Sequence, residues 1–146
     1  MTSEMVEIGE KSGNYICIKV NSRCYPQATD YWDGNWLNAE IHVRYDTLQT
    51  KVQANLRSDE FNSFFKELEP MCESLKGTAK FKAMEEWITM EIDGDGTGTF
   101  IMKGSVKGLS GVRKKVDFSI PFDKTELAKI IYQIKDVLRK FPVVAK

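Results

Sequence analysis

Two runs of strict alternation stand back to back between Trp36 and Leu56. Leu37, Ala39, Ile41, Val43 and Tyr45 alternate with Trp36, Asn38, Glu40, His42 and Arg44. After a short turn near Asp46 and Thr47, Leu48, Thr50, Val52, Ala54 and Leu56 alternate with Gln49, Lys51, Gln53 and Asn55. A period of two places one set of side chains on each face of an extended chain, so both runs read as strands with one buried face. Joined by so short a turn they form an antiparallel hairpin, and its apolar face needs a second layer to cover it. Ile16, Ile18 and Val20, alternating with Tyr15, Cys17 and Lys19, give a further strand of the same kind. His42, the only histidine, falls on the polar face.

At Ser58 the period changes from two to that of a helix. Ser58 is placed to cap a helix with Asp59 and Glu60 in its first turn, and Phe61, Phe64, Phe65, Leu68, Met71, Cys72 and Leu75 follow as an apolar stripe ended by Gly77. Pro70 must kink that helix or split it, with Glu69 capping a second piece. On this stripe Cys72 is expected in the core. Strands are expected again over residues 78–84, 86–92, 98–107 and 112–120, the last with Val112, Val116, Phe118 and Ile120 inward and Arg113, Lys115, Asp117 and Ser119 outward. Asp123 and Glu126 have the spacing of a capping box, and Leu127, Ile130, Ile131, Ile134, Val137, Leu138 and Phe141 make a second helical stripe stopped by Pro142. The pattern predicts an α+β fold, an antiparallel sheet of seven or eight strands with two helices packed on one face.

A chain of 146 residues suits a single domain spanning 1–146, with residues 1–13 the stretch most expected to be flexible. No apolar run reaches the roughly 18 residues of a membrane span, and the acidic start MTSEMVEIGEKSG is unlike a signal peptide, so a cytoplasmic location is expected. Cys17, Cys24 and Cys72 form an odd set without C-x-x-C spacing, which argues against a zinc site or disulfide framework, and no cofactor is implied. Formal charge is zero but uneven: residues 1–57 carry 6 bases and 7 acids, residues 58–95 carry 4 and 10, and residues 96–146 carry 11 and 4. Such blocks can leave an acidic and a basic face able to steer partners of opposite sign.

Several stretches invite a chemical reading. DGDGTG, Asp93 to Gly98, begins like a calcium loop, but Thr97 and Gly104 stand where the fifth and twelfth positions need oxygen ligands of another kind. Between WITMEI and TFIMKG it reads as a hairpin turn. KGSVKGLSG, Lys103 to Gly111, lacks the strand-to-helix setting of a phosphate loop. Lys103, Lys107 and Arg113 to Lys115 make the 103–115 segment basic, though without the interleaved aromatics of a single-strand platform. No nucleophile–base pair can be assembled, and extended Glu85 and Glu86 would face opposite sides of a sheet, so the chain is read as a non-enzyme. DYWDGNWL, Asp30 to Leu37, remains. Asp33, Gly34 and Asn35 are turn formers, and Tyr31, Trp32 and Trp36 either pack over a sheet edge or anchor a partner together with Asp30 and Asp33.

RCYPQATDYWDGNWLNAEIHV, Arg23 to Val43, is followed by the hairpin, the phenylalanine-rich helix, EEWITMEIDGDGTG, KVDFSIPFDKTEL and a last helix ending KFPVV. Over residues 15–144 this order is similar to the WapI-like immunity proteins. The resemblance implies a bacterial antidote, encoded beside a wall-associated toxin, that binds the toxin's nuclease domain and blocks it. It implies a toxin-domain partner and neither a membrane nor a metal. A basic nuclease would call for an acidic surface, which only the 58–95 block offers. The partner-binding residues expected on this reading are Asp30, Tyr31, Trp32, Asp33, Trp36, Glu67, Glu69 and Glu73. The alternative is a nucleic-acid or polyanion-binding module using the basic 103–115 segment.

Overall fold

The computed structural model describes residues 4–10, 12–46, 48–107 and 116–145. In chain order the elements are β1 (Glu4–Gly9), β2 (Tyr15–Arg23), α1 (Tyr31–Gly34), β3 (Trp36–Tyr45), β4 (Leu48–Arg57), α2 (Ser58–Leu68), α3 (Met71–Ser74), β5 (Lys76–Lys82), β6 (Ile88–Asp95), β7 (Thr99–Val106), β8 (Val116–Asp123) and α4 (Lys124–Lys140). The class is α+β with eight antiparallel strands, divided into two four-stranded sheets in the orders β1-β2-β3-β4 and β5-β6-β7-β8. Each sheet is a meander of sequential neighbours, and the α2–α3 segment separates them in sequence. A strand at Glu4–Gly9, paired with β2 from Gly9↔Tyr15 to Glu4↔Val20, precedes the first one legible as alternation.

The hairpin that dominates the sequence forms in the expected register, Tyr45 opposite Leu48 and Trp36 opposite Arg57. Its inward residues Leu37, Ala39, Ile41, Val43, Val52, Ala54 and Leu56 are buried. Strand β2 carries one irregularity. The pairing shifts between Val20 and Ser22, so Arg23 comes opposite Leu37. Cross-strand partners share a face, and the bulge therefore turns Arg23 inward rather than out.

Helix α2 lies chiefly against β5 and α4 chiefly against β1, and the two helices touch each other. Phe61 and Phe64 of α2 meet Phe81 of β5 with ring centroids 5.1 and 5.5 Å apart, in the tilted and edge-on arrangements aromatic quadrupoles prefer. From α4, Leu127, Ile130, Ile131, Ile134 and Val137 are buried, and Phe141 just beyond it. Among the described residues no helix is long and apolar enough to cross a membrane.

Several local expectations need correction. Ser58 does not cap α2. Arg57 is the capping residue, Ser58 is buried in the first turn, and its hydroxyl has no partner. Arginine has no side-chain acceptor, so only half of a capping box forms, with Glu60 Oε1 accepting from Arg57 N at 2.8 Å. Pro70 does split the helix, but the second piece starts in a new phase, leaving Cys72 exposed and Met71 buried. That piece ends on Leu75 in the left-handed region (φ 60°), and β5 has already begun by Gly77. The Asp123–Glu126 box is likewise half made: Asp123 Oδ1 accepts from Glu126 N at 2.9 Å, while Glu126 Oε1 is buried without a partner. DGDGTG is the β6–β7 turn, with Gly96 and Gly98 at φ 97° and 96°. Asp95 Oδ1 accepts from both Thr97 N and Thr97 Oγ1, which holds its carboxyl below the usual range. Val112, Arg113 and Lys115 lie outside the described residues.

Glu60 joins the two halves of the molecule. Besides Arg57 N at the end of the first sheet, its carboxylate accepts from Met84 N, just after β5, at 2.6 Å. Burial pushes the Glu60 carboxyl up despite these bonds. Glu60→Ala should cost about 2–4 kcal/mol, because two amides lose their acceptor; a lower urea midpoint at unchanged slope is the readout. A raised folded-state value adds stability when the group is protonated and loses it as the pH rises through that value. Wild type should therefore lose stability relative to Glu60→Gln as the pH climbs past the ordinary carboxylate range.

Candidate functional site: the α1 platform

Asp30 opens α1 in extended geometry, and its Oδ2 accepts from Asp33 N at 3.0 Å. Such a cap satisfies one of the amides a helix start leaves unpaired. DYWDGNWL is thus one turn of helix and not a simple tight turn, with Asp30, the first aspartate, doing the capping. Gly34 is required where the turn meets the rest of the chain, since a Cβ there would lie 2.6 Å from Val144 Cγ2 and 3.1 Å from Ala28 O. Asn35, fully buried, clasps the same segment from below. Its Nδ2 donates to Tyr31 O (2.8 Å) and Val144 O (3.1 Å), and its Oδ1 accepts from Val144 N (2.9 Å). The inward-turned Arg23 donates to Gly34 O (2.7 Å) and Pro142 O (2.6 Å) and stands 6.0 Å from the Phe141 ring.

Arg57 closes the platform from the other side. Its side chain is 0% exposed. Nη1 donates to Trp32 O at 2.7 Å, Nη2 to Tyr31 O at 2.8 Å and Nε to Asp59 Oδ1 at 2.9 Å. The two carbonyls are among those a one-turn helix cannot satisfy for itself. The guanidinium also lies 4.9 Å from the Trp32 ring, 4.9 Å from Trp36 and 5.3 Å from Tyr31. A charge this deeply desolvated is tolerable only when paired and hydrogen-bonded, and Asp59 with the two carbonyls supplies a counter-charge and three acceptors. Aromatic faces add cation–π attraction.

The outer surface is quite different from this interior. Trp32 is 55% exposed and Tyr31 40%, Asp30 and Asp33 are exposed, and Trp36 is half-buried beneath them. Of the acidic candidates, Glu67 belongs to the same neighbourhood. With Asp59, Ser63, Lys80, Lys82 and Met84 it lines a concavity of about 420 Å³ beside α2, and its Oε1 accepts from Lys80 N at 2.7 Å. Glu69 turns instead toward α4, 3.8 Å from Lys135 Nζ. Glu73 is exposed on α3, past the helix break.

Elsewhere among the described residues no acid–base pair is poised for chemistry. His42 is 3.2 Å from Glu40 on the outer face of the first sheet. Glu86 is ion-paired with Lys107 at 3.0 Å, which neutralises part of the basic 103–115 segment. Lys103 is exposed on β7, and Arg113 to Lys115 lie outside the described residues. Among the described residues no group of three His, Cys, Asp or Glu could hold a metal. Arg57, Asp59 and Met84 are site residues that the sequence pattern does not single out. Arg57 had a signal: counting outward from the two-residue turn brings it opposite Trp36.

Fold and site together make a braced aromatic surface on an α+β frame. The chain matches the model of the Immunity protein WapI-like family over residues 7–142 and belongs to that family. No curated protein matches it. Among solved structures it is similar to the plant transcriptional regulator PBF-2, at 11% identity and a TM-score of 0.55, covering 97% of this chain and 83% of that one. It is also similar to WHY1 from Arabidopsis thaliana, at 12% identity and a TM-score of 0.56, covering 97% and 92%. At such identities the likeness is one of fold.

Arg57→Lys keeps the charge but loses the planar fork and its stacking. It should cost about 2–4 kcal/mol, since the Trp32 carbonyl loses its donor and the Tyr31 carbonyl keeps only Asn35 Nδ2. Urea denaturation followed by tryptophan fluorescence reads this, with native-state emission shifting to the red as the Trp32 and Trp36 rings lose their shared partner.

Proposed function

We propose that this chain is a cytoplasmic, non-enzymatic antidote that binds a nuclease-type toxin domain and occludes its active site. Family membership supports the antidote role. The observation that carries the binding reading is Trp32, more than half exposed yet braced by Arg57 and by the Asp30 cap. A large aromatic side chain held rigid before binding gives contact area at little entropic cost, which is what interface hot spots share. Exposed Asp30 and Asp33 flank it, a negative rim suited to a basic enzyme. Tyr31, Trp36 and Glu67 belong to the same contact surface, while Glu69 and Glu73 contribute long-range attraction from farther along α2 and α3.

Co-expression of the toxin domain encoded by the neighbouring gene, with and without this chain, tests the role. Protection from killing is expected, and unchanged killing would sink it. Trp32→Ala should leave the fold intact and weaken the complex roughly 30-fold or more. Surface plasmon resonance on the purified pair measures that. In the alternative reading the basic 103–115 segment binds nucleic acid or another polyanion, and its Lys103 lines a shallow concavity of about 470 Å³ together with Lys80 and Lys82. Glu86 and Glu91 share that lining and weaken its field. A salt-dependent gel shift abolished by reversing those lysines would favour this second reading.

A further inference from the structure

Met84 is the second conspicuous apolar side chain on this side of the molecule, 52% exposed just after β5. Its backbone N–H is fixed on Glu60 Oε2, and its side chain lines the concavity formed by Asp59, Ser63 and Glu67. Asp59 in turn holds Nε of the guanidinium that stacks on Trp32. Asp59 therefore joins the guanidinium under Trp32 to the concavity that Met84 lines, and both residues are mounted on backbone tied down by buried groups. Asp59 Oδ1 is taken by Arg57, and its side chain is 25% exposed. Asp30, Asp33 and Glu67 are exposed around this surface, and the bases beside it, Lys80 and Lys82, sit on the β5 wall of the concavity. Arg57 neutralises Asp59, so the negative charge of the rim comes from Asp30, Asp33 and Glu67.

We infer that Trp32 and Met84 are paired anchors for a basic, apolar-tipped segment of the partner protein, with Asp30, Asp33 and Glu67 receiving its lysine or arginine side chains. This rests on the toxin-binding reading and specifies where and by what chemistry the toxin domain docks. Charge selects the occupant. A nucleic-acid backbone would be repelled by the same carboxylates, and a second copy of this chain would bring an equally acidic patch against them. Met suits one anchor because its flexible thioether adapts to the shape opposite, while Trp supplies the rigid one.

The test uses the full chain and the toxin domain of the neighbouring gene. Met84→Ala should weaken the complex about 5–10-fold, with affinity lost mainly through faster dissociation. The double variant Asp33→Lys/Glu67→Lys should slow association about 10-fold or more at low salt and flatten its salt dependence. Thermal melting of each variant alone separates surface effects from unfolding: Met84→Ala is expected to stay close to wild type, and the double variant to melt slightly lower because Lys80 N loses its acceptor on Glu67. If wild type protects cells but both variants bind the toxin like wild type, the docking surface is wrong and the antidote role stands. If wild type itself fails to protect, the role fails first. Self-association that vanishes in Met84→Ala by sedimentation, or gel-shift binding of nucleic acid that vanishes in Trp32→Ala, would also overturn the proposal by installing a different occupant.

Discussion

A single buried guanidinium holds together the parts on which the functional surface depends. Arg57 ends β4, caps α2 through its backbone, ties off the carbonyls of α1 and underlies three aromatic rings. Its charge is cut off from solvent, so every one of those bonds is needed to offset desolvation, and the geometry has little freedom to drift. Rigidity of the exposed Trp32 follows from the burial of Arg57. The surface is organised from underneath.

The same economy recurs at Glu60. One carboxylate links the last residue of the first sheet to the segment following the first strand of the second. Two meanders that pair only within themselves among the described residues are thus joined by a side chain, and the helices complete the joint through apolar packing. Arg57 and Glu60 lie three residues apart. Together they make the β4–α2 junction the place where both sheets and the α1 platform are referenced to one another.

The strands of the first sheet were legible because alternation is a direct imprint of a one-sided buried face, and the β3–β4 register followed from the two-residue turn. The division into two sheets was not legible, since period two reports a face and never a neighbour. Local propensity misled at Ser58 and Cys72. Arg57 displaced Ser58 as cap because tertiary contacts demanded its guanidinium at that height, and the break at Pro70 reset the helical phase carrying Cys72. The aromatic motif was visible as a motif, but its partners Arg57 and Asp59 lay beyond it in sequence. β1 was hidden by its mixed composition, and its pairing with β2 is what places Glu7 beside Gln133 of α4.

The platform is also gripped from behind by residues far along the chain. Asn35 holds Val144 across 109 positions, and Arg23 holds Pro142 across 119. Contacts that distant close late in folding, because the entropy of the intervening loop must be overcome before they form. A chain emerging from the ribosome can thus assemble its first sheet while α1 still lacks its rear clasp. The α1 turn is complete only when α4 has docked and residues 142–144 cross beneath it, so its local sequence is not enough to set its geometry.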